Sequence, residues 1–227
     1  MELASADSTI GSERRDFVEW HRGRSPYVFW ALDVDIPEVR NELSRAEHHL
    51  SGLLLNDYQR QPHVTLDLCG FPARSPNAPD EFSAALLHDQ MRRLRAAGLV
   101  EFELEIGGLS SFVSAPYLQV NEAAGRLVSI RECLAENGIN RLQGNYVPHC
   151  TVGLYVAAWP AGPVVERLRA YHGQSTIRYL ARRISLMSYH PTEIAGPLAL
   201  LGDYWLDSGR MAWYPAAAIL GFDEMSD

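Results

Sequence analysis

One small polar unit occurs twice in this chain. "QPHVT" occupies residues 61–65 and "VPHCT" residues 147–151, so Pro-His-x-Thr recurs at His63 and His149. Each copy runs on into apolar residues, Leu66 after the first and Val152 after the second, as a partly buried strand does. Strand residues two apart share a face. His63 and Thr65 therefore point one way, and so do His149 and Thr151. Val64 and Cys150 point back into whatever packs behind. The fold has to hold two separated strands of the same polarity, each presenting one imidazole and one hydroxyl.

The flanking sequence predicts similar surroundings for both. Residues 1–24 read as an irregular arm, and residues 26–34 as an aromatic, β-branched strand. Pro37 suits the first turn of a helix running to about Leu50. Strand 62–71 follows, then a turn-rich loop and a helix over about 80–97 that Gly98 ends. Val100, Phe102, Leu104 and Ile106 alternate with polar or acidic residues, the period of a half-exposed strand, with residues 116–120 as its partner. A helix over about 122–136, ending at Asn137-Gly138, leads to the second His strand, read as residues 147–156. A helix from Pro160 to Tyr171 and a closing pair of strands, about 176–190 and 196–206, complete the pattern. Each Pro-His-x-Thr strand follows one helix and precedes another. The expectation is an α+β fold of two pseudo-symmetric lobes of antiparallel sheet with outer helices around a central cleft. Its single bilobal domain spans 25–208, between the arm and a tail over 209–227.

Composition removes several function classes. All 20 basic residues are arginine, which excludes an adenylated-lysine ligase, a Schiff base and a P-loop lysine. The net charge of −8 argues against tracking long duplex nucleic acid and for a small anionic ligand held by a local positive pocket. Three cysteines without Cys-x-x-Cys spacing suggest neither a disulfide framework nor a zinc ribbon. No apolar run reaches membrane-spanning length, and the first residues lack the order of a signal peptide. The expected location is cytoplasmic, with no membrane partner. A monomer without a cofactor is expected.

Two imidazoles with an ordinary pKa near 6.5 form an acid–base pair. On opposite sides of a phosphate, one takes a proton from the attacking oxygen and the other gives one to the leaving oxygen. Threonine hydroxyls donate to the phosphoryl oxygens. The expected pH–rate profile is a bell with both limbs near neutrality.

"HVTL" and "HCTV", with "FVSAPYLQV" and the helix before the second motif, resemble the signature of the 2H (two-histidine) phosphoesterase superfamily, which includes LigT-like 2′–5′ RNA ligases and cyclic phosphodiesterases. The resemblance covers about residues 27–206. It implies a bilobal fold around a central cleft, His63 and His149 as the catalytic pair, Thr65 and Thr151 on the phosphate, and no metal. It also implies a nucleotide or oligonucleotide substrate, such as an RNA end or a 2′,3′-cyclic phosphate. Hydrolysis, ATP-independent end joining and a non-catalytic nucleotide sensor stay open as outcomes.

By strand alternation Asp67 extends the cleft face beyond Thr65, where it would orient His63 or read the substrate. Gly153 takes the matching place in the second motif, and Tyr155 lies two further on. Phe112, Tyr117 and Tyr155 are candidate base-stacking residues, with Phe29 nearby. His190 follows a strand end. His48 and His49 are adjacent on a helix, diverge by about 100° and cannot chelate one metal together.

Overall fold

A computed structural model describes residues 2–135, 145–173 and 176–222. Among these, ten strands form two sheets. The first sheet takes both ends of the chain: β1 (Tyr27–Asp33), β2 (His63–Pro72), the short β3 (Glu81–Phe82), β8 (Arg183–Tyr189), β9 (Ala199–Trp205) and β10 (Arg210–Trp213), in the order β10-β9-β8-β1-β2-β3. The second takes the middle: β4 (Phe102–Ser111), β5 (Pro116–Asn121), β6 (His149–Thr151) and β7 (Ile177–Ala181), in the order β6-β5-β4-β7. Every pairing is antiparallel except β2 with β3.

A two-fold relation is visible in the connections. β1 is followed by α2 (Pro37–His49) and then by its antiparallel neighbour β2; β5 is followed by α4 (Arg126–Leu134) and then by its antiparallel neighbour β6. Each helix lies on the other lobe. α2 packs against β4, and α4 packs against β2 beside α3 (Ala84–Ala96). α5 (Ala161–Arg169) joins α2 behind the second sheet, where it too touches β4. This exchange makes one core of two sheets: Trp30 and Leu66 of the first share a buried cluster with Leu104 and Leu118 of the second. Both lobes have to be present before either is buried.

Local signals account for the helix starts. Pro37 occupies the first turn of α2, and the Ser83 hydroxyl accepts from Leu86 N–H at the start of α3. α3 begins later than expected because the preceding residues form β3 and leave β2's edge covered. At α4 the Glu122 carboxylate accepts N–H bonds from Arg126 and Leu127. Its described part ends at Leu134, and the expected end at Asn137-Gly138 lies outside the described residues.

Two expected boundaries move. The stretch 176–190 is two strands rather than one, because the chain changes sheets at Arg182 between β7 and β8. The tail from 209 is not separate either. Residues 210–213 are β10, and Ala217 and Leu220 beyond it are buried. The arm packs as well. Leu3 is fully buried, Ser8 bridges to Pro160, and the Thr9 hydroxyl donates to Ala157 O at 2.9 Å. The short α1 (Val18–His21) then carries the arm to the first lobe, where Arg24 pairs with Asp80. No helix among the described residues is long and apolar enough to cross a membrane.

Candidate active site

The two His strands meet between the lobes. β2 and β6 are neighbours in space although they belong to different sheets. The His63 backbone N–H donates to the sulfur of Cys150, and the charge of His149 is felt at His63. Val64 and Cys150 are fully buried behind the strands, while Thr65 and Thr151 are half-buried on the histidine side.

Both imidazoles are fixed in the same way. His63 Nδ1 lies 2.7 Å from Gln61 O, and His149 Nδ1 lies 2.7 Å from Val147 O. A carbonyl only accepts, so in each ring the proton sits on Nδ1 and Nε2 is the free nitrogen. The intervening proline explains the spacing. Pro62 and Pro148 hold the residue before them extended and turn its carbonyl onto the ring two positions later. Burial pushes His63 down to about 4, helped by the charges of Arg60 and His149 and opposed by its bond to Gln61 O. Burial also lowers His149. Both titrations thus fall on the acid side of the neutral range that exposed imidazoles would give.

Aromatic residues flank the pair unequally. The Phe29 ring stands 5.6 Å from His63. Phe112 meets His149 edge-on at 4.8 Å, and Tyr117 lies 5.3 Å from His149 and 4.4 Å from Phe112. Phe112 and Tyr117 are therefore brought together beside the second motif. Phe29 belongs to a small apolar cluster with Ala31, Met187 and Leu198, edged by the partly exposed Leu68, Tyr189 and Leu200.

Two expected cleft residues are not in the cleft. Asp67 was placed there by strict alternation, but the β1–β2 register slips between Trp30 and Ala31, with Leu66 the extra residue on β2. Such a bulge turns the following side chains over. Asp67 pairs with Trp30 on the core side, is 1% exposed, and interacts with the charge of Arg131. Tyr155 is fully buried, its hydroxyl 2.7 Å from Ser111 Oγ. Strand β6 ends at Thr151, so alternation no longer governs residues 153 and 155. His190 is exposed at the end of β8 and meets the Ser25 hydroxyl at 3.1 Å.

Four residues that no pattern marked support the motifs. Two of them donate to the backbone at the bulge. Tyr146 donates its hydroxyl to Thr65 O at 2.9 Å, Arg131 donates to Leu66 O, and the Arg131 guanidinium lies over the Tyr146 ring at 3.8 Å. The other two lie on the connector over residues 53–61. This segment pairs first with the second lobe, Leu55 N–H donating to Leu154 O, and then with the first, Gln59 N–H donating to Ala195 O. In its middle, Tyr58 is hydrogen-bonded to the Thr151 side chain, and Arg60 lies over the Tyr189 ring at 4.5 Å. Irregular backbone has no period, so neither residue stands out before the fold is known.

Among the described residues, no group of three or more His, Cys, Asp or Glu side chains is arranged to hold a metal ion. The arrangement offers two imidazoles held through Nδ1, each followed two residues on by a half-buried threonine, on strands that are neighbours in space.

A family model described as the 2′-5′ RNA ligase superfamily matches residues 34–193. The fold is similar to that of E. coli LigT complexed with 3′-AMP, with a TM-score of 0.54 and 14% identity over 80% of this chain and 98% of that one. E. coli LigT in apo form gives 0.51 and 14% over 81% and 98%. A crystallised phosphoesterase gives 0.51 and 14% over 80% and 98%. At that identity the likeness is one of fold. No curated protein matches the sequence.

Proposed function

The chain belongs to the 2′-5′ RNA ligase superfamily, and on that premise we propose that it is a metal-independent phosphodiesterase acting on a 2′,3′-cyclic phosphate or a 2′–5′ or 3′–5′ linkage of a nucleotide or RNA end. The observation that carries this reading is the matched pair of imidazoles. Each is locked through Nδ1 onto the carbonyl two residues earlier, which leaves Nε2 for proton transfer, and the two strands that carry them are neighbours in space. One fixed Nε2 without a proton and one with a proton are what displacement at phosphorus requires.

The step balances without a cofactor. Water attacks phosphorus and gives its proton to one imidazole Nε2. The bond from phosphorus to the ribose oxygen breaks, and that oxygen takes a proton from the other imidazolium. The phosphodiester becomes a phosphomonoester and a free hydroxyl, and proton exchange with solvent restores the pair. Thr65 and Thr151 donate to the non-bridging oxygens as charge gathers there. A nucleotide in the cleft is supported by the aromatic pair Phe112 and Tyr117 beside His149, and by the 3′-AMP held by E. coli LigT.

The test is a set of 2′,3′-cyclic nucleotides and 2′–5′ dinucleotides assayed with EDTA-treated wild type, His63→Ala and His149→Ala. Each substitution is expected to lower the rate by roughly 10²–10⁴-fold while far-UV circular dichroism stays unchanged. Wild-type turnover in either folded variant would overturn the reading. Adding a 5′-hydroxyl RNA to the cyclic-phosphate reaction separates hydrolysis from end joining by the size of the product.

A further inference from the structure

Arg60 is a cation that no described carboxylate neutralises. Arg60 lies on the connector three residues before His63. Its guanidinium is over the Tyr189 ring at 4.5 Å and hydrogen-bonds the Tyr189 hydroxyl. Its Nε is out of contact with solvent and has no hydrogen-bond partner. Two other arginines leave a buried nitrogen unpaired, and each has a carboxylate on its guanidinium: Arg45 with Glu42 and Arg93 with Asp89. Among the described residues Arg60 has none, in a chain whose acidic residues outnumber basic ones by 28 to 20. A guanidinium donor kept dry without an acceptor is costly. An anionic ligand supplies both the missing acceptor and the missing charge.

We infer that Arg60 binds the phosphate of the substrate on the His63 side of the cleft. This rests on the phosphodiesterase reading above. A run of rings leads from Arg60 to the histidine: the guanidinium lies over Tyr189, Tyr189 stands 6.0 Å from Phe29, and Phe29 stands 5.6 Å from His63. The charge of Arg60 reaches His63 and lowers it, after burial, which is the larger cause. The neighbouring groups do not neutralise this charge. Asp33, the β1 partner of His63, is engaged by Arg183 at 2.9 Å. Burial holds the Cys150 thiol protonated, pushed up to about 12, and raises the Tyr189 phenol. His149 adds to the effect of Arg60 when it is charged.

The inference is tested with Arg60→Met, which keeps an unbranched apolar stem, and Arg60→Lys, which keeps the charge. Arg60→Gln takes the place of Arg60→Met if the latter does not fold. Three quantities are read: inorganic phosphate affinity by calorimetry, the titration of each imidazole by NMR, and KM and kcat against pH on a 2′,3′-cyclic nucleotide. In Arg60→Met, phosphate binding is expected to weaken at least tenfold and KM to rise at least tenfold, with a smaller change in kcat. The His63 titration moves up, and burial, the larger cause, still holds it below the ordinary value of about 6.5. Arg60→Lys keeps the wild-type titration and most of the phosphate affinity. Wild-type phosphate affinity in Arg60→Met, or a His63 titration that does not move, overturns the inference. Full activity in His63→Ala and His149→Ala would instead remove the phosphodiesterase reading; lost phosphate binding in Arg60→Met would then still support Arg60 as the anion site.

Discussion

At the scale of single residues, the motif spacing carried more information than the residues around it. The Pro-His-x-Thr units identify four side chains, and the fold makes the two strands that carry them neighbours in space. Asp67 and Tyr155 were misplaced for a shared reason: alternation extends only as far as regular pairing does. One extra residue at Leu66 and the end of β6 at Thr151 interrupt it, and neither is visible in the order of residue types. The depressed His63 titration has a consequence for stability. At pH values below about 6.5, the unfolded chain takes up a proton that the folded site refuses until about 4. Stability contributed by the neutral ring is therefore present above about 6.5, falls as pH drops through that window by at most about 1.4 kcal/mol per pH unit, and levels off below it. Urea midpoints at pH 7 and pH 5 should differ less for His63→Asn than for the wild type; equal differences would count against a buried neutral imidazole.

At the scale of elements, long periodic segments were legible and short irregular ones were not. α2, α3 and the alternating β4 follow from proline placement, capping and period-2 burial. The direction in which α2 and α4 pack does not, because an amphipathic helix shows which face is buried but not which sheet covers it. The arm's irregularity was legible, but its packing was not. Its one short 3-10 turn, Glu2–Ser5, is too brief to have a period, yet it buries Leu3 completely. It touches α5, and the backbone beyond it is bonded at Trp159, Val113 and Tyr155. Leu3→Ala is expected to cost about 2–5 kcal/mol of unfolding free energy, read from denaturant curves. A loss below about 0.5 kcal/mol, the range of surface substitutions, would mean that the arm is not part of the folded unit.

At the scale of the whole molecule, two pseudo-symmetric lobes were the right architecture, and the strands are not dealt to them in chain order. A duplicated motif suggests two consecutive halves, but sheet membership is settled by contacts far apart in sequence, which local patterns do not record. The first lobe closes only with strands from the far end of the chain. The tail from 209 completes it: Met211, Ala217 and Leu220 are buried, and the Tyr214 hydroxyl donates to the buried Asp203 carboxylate at 2.8 Å. A chain ending at Ser208 should lose its cooperative thermal transition or melt well below the full chain; an unchanged melting curve would show that β10 is dispensable. The same topology governs the order in which a ribosome can deliver the parts. β2, with His63 at its start, emerges early beside β1, but the other neighbour of β1 is β8, which begins at Arg183. The middle sheet has all four of its strands once Ala181 has been made. The strand synthesised among the first is thus among the last to find its setting, and the nascent chain carries His63 without its full surroundings through most of its own synthesis.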